Sequence, residues 1–131
     1  MMMKRNRRLL LKTAKRIEEV PESYNQAVWA DKDYKSPCGT VACLAGEMII
    51  CSERSLRKGL DLLWDANDIG QVPDTAQRMA GLTDDEASDL FYSTNWWPTR
   101  FHNRYERAST QRGRAKVAAA LLRYLADGGQ L

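Results

Sequence analysis

The chain has 131 residues, a length that suits one domain able to bury roughly two thirds of its unfolded surface. With 44% hydrophobic and 28% charged residues and a formal net charge of only +3, it reads as globular, and no apolar run approaches the roughly 18 residues of a membrane span. Leu9-Leu10-Leu11 is too short for the apolar region of an export signal, so a cytoplasmic, reducing setting is expected. Three cysteines, an odd number, agree with free thiols rather than a disulfide framework.

Charge is unevenly spread. Residues 1 to 16 hold seven Lys or Arg and no acid, residues 17 to 99 hold six basic and fifteen acidic residues, and residues 100 to 116 add Arg100, Arg104, Arg107, Arg112, Arg114 and Lys116 against Glu106. The plain expectation is that these blocks solvate the surface or dock on the acidic middle; the sharper one is an anion-binding face. The run from Lys4 to Arg16 also has the make-up of a nucleic-acid contact. The acidic middle, the small net charge and the lack of a helix-turn-helix with a basic recognition helix speak against it.

In chain order the pattern is helical. Leu10, Ala14 and Ile17 recur at spacings of four and three and predict a basic amphipathic helix over 4–20, ended by Pro21. Residues 22–36 carry Tyr24, Val28, Trp29 and Tyr34 without clean periodicity and read as a short helical turn or an extended segment. From Gly39 to about Cys51 the chain is apolar apart from Thr40 and Glu47, which predicts a helix buried on all sides. Leu56, Leu60, Leu63 and Trp64 form another amphipathic stripe. Asp74 is placed to cap a short helix that stops at Gly81, and Thr83-Asp84-Asp85-Glu86 has the spacing of a capping box before Ala87, Leu90 and Phe91. Trp96-Trp97-Pro98 stops and restarts the chain, Phe101 and Tyr105 mark the next helix, and Val117, Leu121 and Leu125 the last. No strand pair is expected. The whole predicts a single all-α domain over residues 1–131, about six or seven helices around a central apolar helix, with the basic N-terminal segment, residues 1–16, as the place for any mobility.

Ser36-Pro37-Cys38-Gly39-Thr40 precedes the apolar run and reads as a tight turn feeding that central helix, with free amides at its start. Such an end suits a phosphate or carboxylate oxygen, with the Thr40 hydroxyl adding a donor. The expected ligand-binding set is Cys38, Gly39, Thr40, Trp97, Arg100, His102 and Arg104, with arginines gripping an anion and aromatic rings stacking on a base. A thiol enzyme is the less favoured reading: Cys38 as nucleophile, His102 as base, and Asn103, Asp31 or Asp33 as orienting groups. The structural alternative makes Cys38, Cys43 and Cys51 small packing residues. No metal site is expected, since Cys43 and Cys51 would lie roughly 12 Å apart along one helix, and the acids of 84–86 lack the pattern of a calcium loop. No cofactor is expected.

The segment Cys38-Gly39-Thr40-Val41-Ala42-Cys43-Leu44-Ala45-Gly46 resembles a group of small uncharacterised bacterial and phage proteins sharing Cys-Gly-Thr-x-x-Cys-x-Ala-Gly. The resemblance extends to Gly81-Leu82-Thr83-Asp84-Asp85-Glu86-Ala87, Leu90-Phe91 and Trp97-Pro98. It implies a shared helical fold and a special place for the Cys-Gly-Thr turn, and no reaction. Glu47 departs from it where an apolar residue is expected, and must reach solvent or a partner. The expectation is therefore non-enzymatic binding of an anionic, nucleotide-like ligand at Cys38-Gly39-Thr40, in one form sequestration by a phage-type protein; a protein-interaction or regulatory module, with a protein partner or a second copy, is the alternative.

Overall fold

The computed structural model describes residues 4–131, so the first three residues of the basic N-terminal segment lie outside it. The amphipathic pattern yields α1 (Arg7–Glu19), capped by the Asn6 side chain, which accepts from the Leu9 amide at 3.1 Å. Leu10, Ala14 and Ile17 are buried as the spacing predicts, joined by Leu9 and by Thr13, whose hydroxyl donates to the Leu9 carbonyl. This stripe packs on the last helix, α7 (Gln111–Ala126). An Arg123–Glu18 ion pair ties the two helices across their edge.

The protein is all-α, with seven α-helices and only two two-residue strands among the described residues. The central helix is α2 (Leu44–Cys51), every residue of which is buried, against α1, α3 (Leu56–Asp68) and α4 (Val72–Ala80). It starts five residues later than the sequence suggests. Thr40–Val41 forms strand β2, paired antiparallel with β1 (Asp31–Lys32), so Lys32 faces Thr40 and Asp31 faces Val41. A strand pair is present where none was expected. Its cause is local: Gly39 takes a left-handed conformation (φ 74°) that turns the chain, and β-branched Thr40 and Val41 then favour extension.

The later elements follow their signals. Gly81 ends α4 in the left-handed conformation, while Gln71 rather than Asp74 caps its start because Pro73 occupies the first turn and leaves Asp74 inside it. The capping box forms in α5 (Asp84–Phe91): Thr83 Oγ1 accepts from the Glu86 amide at 3.2 Å and Glu86 Oε1 from the Thr83 amide at 3.0 Å. After a 3-10 turn at Thr94–Trp96, α6 (Thr99–Arg107) packs on α7.

The backbones of α2 and α3 approach so closely at Gly59 that a β-carbon there would stand 2.1 Å from the Ile50 carbonyl oxygen. Gly59→Ala is therefore expected to cost about 3 kcal/mol in urea unfolding. Gly70→Ala, at a left-handed position with nothing within 4 Å, should cost only about 1 kcal/mol.

Candidate functional site

Placing an acid in the first turn of a helix buried on all sides forces the most consequential contact in the molecule. Glu47 is 0% exposed, and its Oε2 accepts from Arg16 Nε at 2.7 Å while Oε1 has no hydrogen-bond partner. Arg16 reaches inward from α1, and its Nη2 also donates to Cys38 Sγ at 3.5 Å. Cys38, half-buried in the turn between β1 and β2, lies 3.3 Å from Ser36 Oγ and 3.4 Å from the Thr40 carbonyl oxygen. Trp64 of α3 donates its indole N–H to Thr40 Oγ1 at 3.4 Å.

The two ends of the pair respond differently to burial. Desolvation pushes the Glu47 carboxyl from 4.5 up to about 7, more than Arg16 and the neighbouring Ser23 hydroxyl pull it down. For Arg16 desolvation acts to lower the value, but Glu47 and then Cys38 outweigh it, so its proton is held more tightly. Cys43 and Cys51, one helical turn before and after Glu47, have thiols pushed up to about 11, chiefly by burial.

Of the amides expected to hold an anion, that of Gly39 is engaged within the turn. Gly39 N–H donates to the Ser36 carbonyl at 2.9 Å, and Thr40 lies in the strand pair. At the true start of α2, Cys43 N–H donates to the Val28 carbonyl, Leu44 N–H to Gln26 Oε1, and Glu47 N–H to the Cys43 carbonyl. No helix begins at Cys38-Gly39-Thr40, because the chain runs extended there and the helix starts at Leu44.

Nor does the fold gather the remaining expected residues around that turn. Trp97 is buried, donates to the Leu90 carbonyl at 3.0 Å and stands edge-on to Tyr105. Arg100 lies over the rings of Phe101 and Tyr124, and Arg104 is exposed. His102 Nδ1 is 3.0 Å from the Thr94 carbonyl oxygen, on a helix that packs against α7 and the 3-10 turn before it. The polar neighbours of Cys38 are Arg16, Ser36 and Thr40, so no Cys38–His102 pair is assembled. Asp33 accepts from the Lys35 amide within its own turn, and Asp31 and Asn103 are exposed. Among the described residues no group of three or more His, Cys, Asp or Glu is placed to hold a metal ion.

What the structure does assemble is a basic groove. Arg8, Lys12 and Lys15 occupy the solvent side of α1 at spacings of four and three, opposite its buried stripe. A groove of about 350 Å³ runs between this side and the α2–α3 loop, lined by Lys12, Lys15, Arg16 and Arg54 with Val20, Ile50 and Leu56 as its apolar wall and Glu19 and Glu53 as its acids. It adjoins a second groove of about 660 Å³ that shares Lys12 and Arg54 and adds Arg8 and Ser52. Lys12 Nζ donates to the Glu53 carbonyl at 2.8 Å, which brings the loop against α1. The sequence places these cations on one helix but gives no sign of Arg54, whose approach depends on how the loop folds back. The larger groove near the chain ends, about 940 Å³, is lined by both signs of charge, and its Arg5 is engaged by Glu86 and by the Leu125 and Gly129 carbonyls.

The fold and site thus define a small all-α protein with a buried ion pair behind a cationic groove. The chain matches no known protein-family model, no curated protein and no solved structure. No helix among the described residues is long and apolar enough to cross a membrane.

Two measurements check this description. Maleimide labelling of the native protein near pH 8 should modify Cys38 first, because Cys43 and Cys51 are buried with thiols pushed up to about 11; mass mapping reads the order. Glu47 also sets a pH slope. Its folded pKa, about 7, stands above the unfolded 4.5, so its contribution is full below the lower value and is lost as pH rises through the upper. At 1.36 kcal/mol per unit this amounts to about 3 kcal/mol, and Glu47→Gln should lack that fall in urea unfolding across the window.

Proposed function

We propose that this protein is a non-enzymatic binding protein that captures a small polyanion, nucleotide-like in its charge, in the groove between α1 and the α2–α3 loop. The observation that carries the reading is the convergence of Lys12, Lys15, Arg16 and Arg54, from two separate elements, on one concave surface with an apolar wall. Cations from two elements grip a ligand with two or more charged groups better than a single carboxylate, and Val20, Ile50 and Leu56 leave room for an apolar portion. Among the described residues Arg8 and Arg54 form no ion pair, so binding an anion breaks no existing contact of theirs. The likeness of Cys38 to Gly46 to segments of small bacterial and phage proteins fits a sequestering role, in which the captured ion is withheld rather than transformed.

A second reading, a protein-interaction module, is favoured by a separate observation. Trp29 and Tyr92 form an edge-on pair at the surface with ring centroids 5.3 Å apart, and Tyr92 and Trp96 are 61% and 65% exposed. Such rings are natural anchors for a partner.

Thermal-shift measurements with inorganic pyrophosphate, nucleoside triphosphates and cyclic nucleotides separate the two. A captured polyanion at a hundred times its dissociation constant should stabilise the protein by about 2.7 kcal/mol. The shift should shrink as salt rises from about 0.05 to 0.3 M and vanish in Lys12→Glu/Arg54→Glu. Stabilisation by none of these ions would overturn the groove reading and leave the aromatic surface as the better one.

A further inference from the structure

Arg16 is the most withdrawn of the groove's four cations, its side chain 15% exposed, whereas Lys12, Lys15 and Arg54 stand in solvent. It is drawn inward because Nε is engaged by Glu47 and Nη2 by Cys38. Among the described residues Arg16 is the one group hydrogen-bonded to the Glu47 carboxylate: Oε1, fully buried, has no donor, and the nearby Ser23 hydroxyl donates to the Val20 carbonyl instead. A carboxylate with half its acceptor capacity unmet, behind a guanidinium that lines an anion groove, is a competitor for that guanidinium. Building on the groove reading above, we propose that Glu47 competes with the captured anion for Arg16, so that a proton on Glu47 frees the guanidinium and tightens anion capture.

The surroundings of Glu47 isolate this exchange. From α1 it faces Arg16, and from the turn after α1 it faces Ser23 and Tyr24, whose phenol burial holds well above its usual range and therefore neutral. Along α2 its neighbours are Cys43 and Cys51, also neutral, while Cys38 touches it only through Arg16. The buried faces of α3, α4 and α5 are apolar, represented by Leu63, Ala76 and Leu90. Arg16 and Glu47 are thus the two charges whose balance is set inside the protein. With Glu47 ionised, the Arg16 charge is cancelled from behind; with Glu47 neutral, it acts on the groove alone. The carboxyl, pushed up to about 7, makes that change near neutral pH. Reciprocity requires the converse: an anion that draws Arg16 outward must hold the proton on Glu47 more firmly.

The test uses pyrene tetrasulfonate, whose charge is constant around neutrality and whose fluorescence reports binding. The wild type should bind it roughly tenfold more tightly near pH 6 than near pH 8. Glu47→Gln should bind at both values as the wild type does at the lower one, since the uncharged amide cannot hold Arg16 as the carboxylate does. Equal pH slopes in the two proteins, or none in the wild type, would overturn the competition while leaving the groove intact. Absence of binding at any pH would instead remove the groove reading and the competition with it. A second measurement needs no variant: the titration of the Glu47 carboxyl, followed by carbon NMR, should shift upward by about one unit when the probe is saturating, and an unmoved midpoint would overturn the proposal.

Discussion

Everything about the placement of charge in this protein follows from one constraint: α2 is buried along its whole length and yet contains Glu47. An isolated carboxylate in such a place is untenable, and the chain answers with Arg16 from the neighbouring helix. The answer is incomplete. Desolvation still outweighs the attraction, which is why the carboxyl moves from 4.5 to about 7 instead of falling as an ordinary salt-bridged acid does. The pair therefore acts less as a staple than as a register mark. Arg16 must point inward at the level of Glu47, and with it fixed, the helical period sends Arg8, Lys12 and Lys15 to the solvent side and leaves Leu10, Ala14 and Ile17 for α7.

The same constraint governs the start of α2. A helix end buried in a core needs all its amides satisfied by the protein, or the fold would carry orphaned donors. Val28 O and Gln26 Oε1 accept from the Cys43 and Leu44 amides, and Gln26 Oε1 also takes the hydroxyl of buried Tyr24 at 3.0 Å. The segment before α2 is correspondingly extended, bridging to the chain at Tyr24 and pairing as β2 with β1. Cys38 and Gly39 turn the chain into that strand, and Arg16 reaches Cys38 from the other side. Turn, strand and helix start are thus one packing unit around the Arg16–Glu47 pair.

Much of this was legible from residue spacing. The stripe on α1, the capping box at Thr83 and the left-handed stop at Gly81 each rest on interactions within four residues, and the structure has them where the pattern puts them. The start of α2 was not legible, because Val41 and Ala42 are as apolar as the helix they precede, and a short apolar run does not distinguish strand from helix. The site was half visible. Glu47 announced a partner by being charged in an apolar run, but which of the many arginines would serve depended on the packing of α1 against α2. Arg54 entered the groove through the fold-back of a loop, a long-range fact with no local signature. Trp97, Arg100 and His102, which share one stretch with the Trp-Pro signal, are dispersed by α6 onto Leu90, Phe101 and Thr94 respectively.

That dispersal also bears on the two basic blocks. In the C-terminal one, Arg100 covers aromatic rings and Arg114 donates to the Ala108 carbonyl, while Arg104, Arg107, Arg112 and Lys116 stand exposed. On α1 the cations instead face a loop across a groove. The apolar face of α1 is supplied by α7 and its one buried cation is matched by Glu47, while Arg8, Lys12 and Lys15 face solvent, Lys15 with Glu19 at 3.8 Å and Lys12 bringing the Arg54 loop alongside. Like charges held side by side repel one another, and in this groove four cations meet two acids, Glu19 and Glu53. An excess of one sign is where a ligand of opposite charge has most to contribute, and that is the physical ground for proposing the α1 groove, rather than the Cys-Gly-Thr turn, as the place of capture.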